Sequence, residues 1–134
     1  MSISVKNISK KYKTVLALQN ITFEVQEGEL FGLIGPDGAG KTTLFRLLTT
    51  LLIPNEGSAT VANYDIVKQV KEIRNSVGYM PGKFSLYQDL TIAENLAFFA
   101  TIFGTTIEEN YDLIEDIYVQ IEPFKNRRAG ALSG

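Results

Sequence analysis

The chain has 134 residues, 45% hydrophobic and 21% charged, the makeup of one ordinary globular domain rather than a disordered or low-complexity segment. It has no Cys and no His, which excludes disulfides, thiolate nucleophiles, iron–sulfur clusters, Cys- or His-ligated metals and a His-based triad. Its 13 basic and 15 acidic residues leave a net charge of −2, without the basic excess of a nucleic-acid binder. Lys6, Lys10 and Lys11 interrupt any leader-like apolar run, and Leu44–Ile53 and Leu96–Phe103 are too short to cross a bilayer, so a cytosolic, soluble-type chain is expected.

Ile3, Val5 and Ile8 read as a half-buried strand, as do Ile21, Phe23 and Val25, with the basic stretch Ser9–Tyr12 between them. Such a pair favours an antiparallel subsheet with one wet face. After the turn Glu27-Gly28-Glu29, Leu30–Ile34 is apolar on both faces, the pattern of a buried parallel strand. Gly35–Gly40 then forbids regular structure, and Leu44, Leu47, Leu48 and Leu51 recur at helical spacing until Pro54–Gly57 ends the helix. Ser58–Ala62 reads as a short strand, Ile66, Val70 and Ile73 as a short helix, and Val77–Met80 as another strand closed by Pro81-Gly82.

The last third is helical. Thr91 with Glu94 forms a capping box before Ile92, Leu96, Phe99 and Phe103; Thr106 with Glu109 forms a second before Tyr111, Ile114, Tyr118 and Ile121. Gly104 separates the two helices. Lys68, Lys71, Glu72 and Arg74 read as a solvated face, and the acids from Glu108 to Asp116 as complementing the start of the last helix.

Gly35 through Thr42 fits G-x-x-x-x-G-K-[ST], a phosphate-binding loop, with Thr43 adding a second hydroxyl. Glycines let backbone N–H groups turn inward around phosphate oxygens, and the helix opening near Lys41 points its positive end at the same anion. Lys41 reaches terminal phosphates, and Thr42 supplies an oxygen for Mg²⁺. Such a match arises by chance in roughly one chain of this size in 200. The strand before it and the apolar-faced helix after it lower that rate further.

GELFGLIG before GPDGAGKTT, the leucine helix and PNEGSATV after it, the segment SVGYMPGKFSLYQDLTIAENLAFFA and the terminal Leu132-Ser133-Gly134 together resemble the ATP-binding domain of ABC transporters, in phrasing closest to drug exporters. The resemblance covers essentially the whole chain. It implies an α/β fold: an N-terminal antiparallel β-subdomain (1–28), a P-loop core (29–90) and a helical subdomain (91–134), incomplete at the C-terminus. Tyr12 would stack on adenine. Gly35, Asp37, Gly38, Ala39, Gly40, Lys41, Thr42 and Thr43 would hold the nucleotide, with Lys41 as the catalytic cation and Thr42 on Mg²⁺. Ser133 and Gly134 would begin a signature that meets the nucleotide of a second ATP-binding domain, in a homo- or heterodimer. A transmembrane permease subunit is the other implied partner, met through Tyr79–Leu90 and the helix after Thr91, and would hold the protein at the inner face of the cell membrane.

Two departures from the pattern stand out. Asp37 occupies a position where many members have Asn, and its carboxylate is expected to turn away from the phosphates it would repel. Gly82 stands where the family has a Gln that touches Mg²⁺ and the attacking water; Lys83 follows it. The Mg²⁺ aspartate, glutamate base and switch histidine that the family carries later have no counterpart here. The expectation is therefore a transport ATPase whose present 134 residues bind ATP without turning it over. A non-transport ATPase of the same superfamily and a non-hydrolysing regulatory module are the alternatives. A small P-loop kinase or GTPase fits less well, because such folds do not need the two strands before the loop.

Overall fold

The computed structural model describes residues 3–82 and 85–132. Contacts divide the chain into two compact units, Met1–Met80 and Pro81–Gly134.

The first unit is built on an antiparallel sheet in the order β2-β1-β3-β4, formed by Ile3–Tyr12 (β1), Val15–Val25 (β2), Glu56–Val61 (β3) and Tyr64–Asp65 (β4). The β1–β2 pair runs further than the alternation suggests. Ser9–Tyr12, read from sequence as a connection, belongs to β1, which turns at Lys13 with φ 51°. The buried positions Val5 and Ile8 lie three apart because Asn7 takes φ 53° and makes a bulge, which rephases the strand. Side chains fill the interrupted ladder: Thr22 Oγ1 accepts from the Asn7 N–H at 2.9 Å, and Ser9 Oγ accepts from the Asn20 N–H at 3.1 Å. Gly57 closes the other side, where any Cβ would collide with the Asn7 carbonyl.

Lys41–Leu48 (α1) and Val70–Ser76 (α2) complete the unit. Leu44, Leu47 and Leu48 bury against Val5, Ile8, Leu18, Ala59, Val61, Ile66 and Ile73 in one core. Each such leucine contributes about 2 kcal/mol. The helix stops one turn short of Leu51, which is half-exposed rather than on the buried face. Thr50 takes φ 61°, its N–H reaches the Leu47 carbonyl and the Leu51 N–H reaches that of Arg46, a Schellman stop with threonine where glycine is usual. Arg74 holds it, donating from Nε to Thr50 Oγ1 at 2.9 Å and from Nη2 to the Thr50 carbonyl at 3.1 Å. The supposed solvated face of α2 thus includes a structural cation.

Two predicted strands do not form. Leu30–Ile34 joins no strand of the sheet; Leu30 and Ile34 are fully exposed, Phe31 stacks on Phe23 at 5.2 Å, and Leu33 alone packs against the core. A parallel strand with two apolar faces needs a hydrogen-bonded neighbour and cover on both sides, and among the described residues nothing runs beside it. Val77–Met80 likewise pairs with no strand; Val77 leans on the core and Met80 is exposed.

In the second unit, Ile92–Ile102 (α3) and Tyr111–Ile121 (α4) border an apolar cavity of about 310 Å³ lined by Leu96, Phe99, Ile114, Ile117 and Tyr118 among others. The capping box at Thr91–Glu94 is complete. The second, Thr106–Glu109, also closes, with the Glu109 N–H to Thr106 Oγ1 at 3.2 Å and the Thr106 N–H to Glu109 Oε2 at 3.0 Å; it begins a short 3₁₀ turn that leads into α4. Gln88 and Leu90 accept backbone bonds from Gly130 and Ala129, which ties the start of this unit to its end.

Candidate functional site: the loop before α1

The loop from Gly35 to Gly40 is shaped by two left-handed glycines, Gly38 at φ 82° and Gly40 at φ 90°, with a turn closed by the Ala39 N–H on the Pro36 carbonyl at 3.2 Å. Gly40 is fixed doubly, because a Cβ there would sit 2.5 Å from the Ala17 carbonyl oxygen and 2.7 Å from Leu18. Strand β2 therefore backs the loop, and Ala17 lines the resulting cavity with Asp37, Gly38, Ala39, Gly40, Lys41, Thr42 and Thr43. Its volume of about 210 Å³ is less than a whole nucleotide pocket and suits the phosphate end of one.

The decisive feature is the start of α1. Gly40 supplies no side-chain cap, and the first turn carries no acid. The N–H groups of Lys41, Thr42 and Thr43 have no partner among the described residues; the Leu44 N–H, on the Gly40 carbonyl at 2.9 Å, is the first that does. The hydroxyls of Thr42 and Thr43 are likewise unpaired among the described residues. The Lys41 ammonium folds over the loop and donates to the carbonyls of Gly35 at 2.6 Å and Pro36 at 2.8 Å. Three open amides at a positive helix end, a lysine and two hydroxyls around one small cavity are a site for an oxyanion.

The other sequence candidates are distributed differently. Gly35 lies at the entrance of the loop and receives the lysine. Asp37, expected to face away, is exposed but does line the cavity. Tyr12, at the end of β1, does not line it; its ring lies under Lys10 Nζ at 5.7 Å from the centroid, while that ammonium donates to the Ile53 carbonyl at 2.7 Å. Gly82 is exposed with open space where a side chain would go. Lys83, Ser133 and Gly134 lie outside the described residues. Ala17 was not legible beforehand, since an alanine in a strand carries no chemistry of its own; only the close approach demanded by Gly40 reveals it. Among the described residues no three His, Cys, Asp or Glu side chains converge as a metal site. The side-chain oxygens that line the cavity are those of Asp37, Thr42 and Thr43, so a hard cation held there would take most of its ligands from phosphate and water.

Residues 18–134 match the family model for the ABC transporter. The chain belongs to that family. It is 42% identical over 102 residues to the probable multidrug ABC transporter ATP-binding protein YbhF of Escherichia coli K12, covering 76% of this chain and 18% of YbhF. It is 34% identical over 131 residues to the ABC transporter ATP-binding protein NatA of Bacillus subtilis, covering 96% of this chain and 53% of NatA. Among solved structures, an ATP binding subunit of an ABC transporter superposes with a TM-score of 0.80 at 28% identity, over 99% of this chain and 56% of that one. A dimeric, post-hydrolysis ATP-binding cassette bound to ADP and Pi superposes at 0.79 with 26% identity, over 98% of this chain and 63% of its own. The chain spans about half the length of NatA and of that first structure. The fold is thus the P-loop α/β type with an N-terminal antiparallel sheet and C-terminal helices. No helix among the described residues is long and apolar enough to cross a membrane.

Proposed function

We propose that the loop and the start of α1 bind the phosphates of ATP, and that the chain is the nucleotide-binding part of a subunit that couples ATP hydrolysis to export through a membrane partner. One observation carries this reading: three consecutive amides at the α1 N-terminus are left open around a cavity that Lys41 overhangs. In this reading Lys41 leaves the Gly35 and Pro36 carbonyls to meet the terminal phosphates, Gly38 and Gly40 keep side chains out of the path, and Thr42 offers an oxygen to Mg²⁺. Mg²⁺, when bound, neutralises charge on the phosphates. Tyr12 is proposed to meet the base, and Ser133 and Gly134 to meet the nucleotide of a second ATP-binding domain. The division at residues 28 and 90 belongs to the same proposal, as do the permease subunit and attachment to the inner membrane face.

Equilibrium dialysis with ATP and Mg²⁺ tests it. The expected result is saturable binding by the 134-residue chain, weakened about 100-fold by Lys41→Ala, the scale for losing a charge-assisted contact to phosphate. Unchanged binding in that variant would sink the proposal. Gly82 favours a second reading, a nucleotide-binding module without hydrolysis, since it offers no side chain to water or metal. Steady-state ATP turnover by the chain that Lys41→Ala abolishes would exclude that reading.

A further inference from the structure

Eight residues line the loop cavity, and Asp37 is the one among them with negative charge. It is exposed and makes no hydrogen bond or ion pair with any described residue. The cation that shares the cavity, Lys41, spends its ammonium on the Gly35 and Pro36 carbonyls. The loop therefore gathers open amides for an anion and sets an unneutralised carboxylate among them. Resting on the reading that this loop takes the phosphates of ATP, we propose that Asp37 is a charge filter. It makes the loop select a polyphosphate whose charge a divalent cation has already reduced.

The physics is a difference of two repulsions. Coulomb energy scales with the charge on each partner, so a fixed carboxylate penalises metal-free ATP more than its Mg²⁺ complex at the same separation. By the same scaling the amides and Lys41 attract the more highly charged metal-free form more strongly; Asp37 opposes that preference and shifts the balance toward the Mg²⁺ complex. A neutral side chain at this place would keep the cradle and lose the discrimination.

The test measures binding rather than turnover. ATP and inorganic tripolyphosphate are titrated into the wild-type chain and into D37N, once in EDTA and once with excess Mg²⁺. D37N is expected to tighten the metal-free ligands about 10-fold and the Mg²⁺ complexes about 3-fold or less, with the difference shrinking at high salt. Tripolyphosphate, which has no base, should give the same contrast as ATP. Equal tightening in both conditions, or none, overturns the filter while leaving the phosphate loop intact. Weaker binding in D37N, with a wild-type thermal melt, overturns it in favour of Asp37 as a ligand. If the wild-type chain binds neither ligand under either condition, the ATP reading falls and the filter with it. Asp37→Ser serves as a second neutral variant should D37N fail to fold.

Discussion

Two helices of this protein begin in opposite ways. At α3 every early donor is satisfied: the Thr91 N–H by Glu94 Oε2 at 2.7 Å, the Ile92 N–H by the Arg127 carbonyl, the Ala93 N–H by that of Lys125, and the Glu94 N–H by Thr91 Oγ1. At α1 the N–H groups of Lys41, Thr42 and Thr43 meet nothing among the described residues, and a left-handed glycine stands where a capping side chain belongs. Both helices are short, so neither forms on propensity alone. The first is kept by three buried leucines and a Schellman stop pinned by Arg74; the second is kept by its caps. An uncapped start alone does not set α1 apart, since α2 also opens without a side-chain cap at Gln69. What distinguishes α1 is that a lysine, two hydroxyls and a small cavity gather at its open amides, an arrangement that suits a ligand.

The sharpest way to break this contrast is to finish α1 artificially. Thr42→Glu sets an acid in its exposed first turn, which the helix dipole favours by a few tenths of a kcal/mol, so thermal stability should hold or rise slightly. ATP binding should fall by about 1,000-fold, because a like charge about 4 Å from phosphate costs about 4 kcal/mol at an effective dielectric of 20. Stability and binding that fall together would mean that the open amides are structural rather than functional.

The reverse operation on α3 comes next. Asn95 is 1% exposed, and its amide accepts from the Tyr87 N–H at 2.9 Å while donating to the carbonyls of Tyr87 at 3.0 Å and Thr91 at 2.9 Å. Asn95→Ala orphans that buried cluster and should cost the second unit about 3 kcal/mol. The change is readable as a lower denaturant midpoint and faster exchange of the Tyr87 amide. ATP binding at the loop should not change.

The loop, three of the four leucines read onto the face of α1 and both capping boxes were legible because each is written within a few adjacent residues. The Leu30–Ile34 strand was misread for the opposite reason. A doubly apolar run states that both faces want cover, yet a strand exists only where a neighbour completes its ladder, and that neighbour is a tertiary fact. Thr50 was illegible because a β-branched residue at positive φ violates local preference and survives only through Arg74, which lies 24 residues away. Asn95 hid in the same way: its position in the pattern is an ordinary polar one, and its burial depends on the Tyr87–Leu90 turn folding over it.

Smaller effects sharpen the comparison at α3 itself. Thr91→Ala removes the hydroxyl that caps the Glu94 N–H and should cost about 1 kcal/mol in chemical denaturation. A loss no larger than that of an ordinary surface substitution would mean that the carbonyls of Arg127 and Lys125 suffice to start the helix.

The smallest effect is a pH dependence. The Thr91 backbone N–H, and then the Thr91 hydroxyl, hold the Glu94 carboxyl below its ordinary range. A carboxylate depressed by folding contributes stability that is fully present above its unfolded pKa and is lost as pH falls through the folded one. The stability difference between wild type and Glu94→Gln should therefore be constant from neutrality down to about pH 4.5, then shrink with acidification as the wild-type group takes up its proton. Asp65 is depressed too, by the N–H groups of Lys68 and Val67, and loses its contribution over the same acid range. It is present in both proteins, so the subtraction removes it. What remains is the titration of one cap, and a difference that stays constant through the acid range would show that the Glu94 contacts draw nothing from its charge.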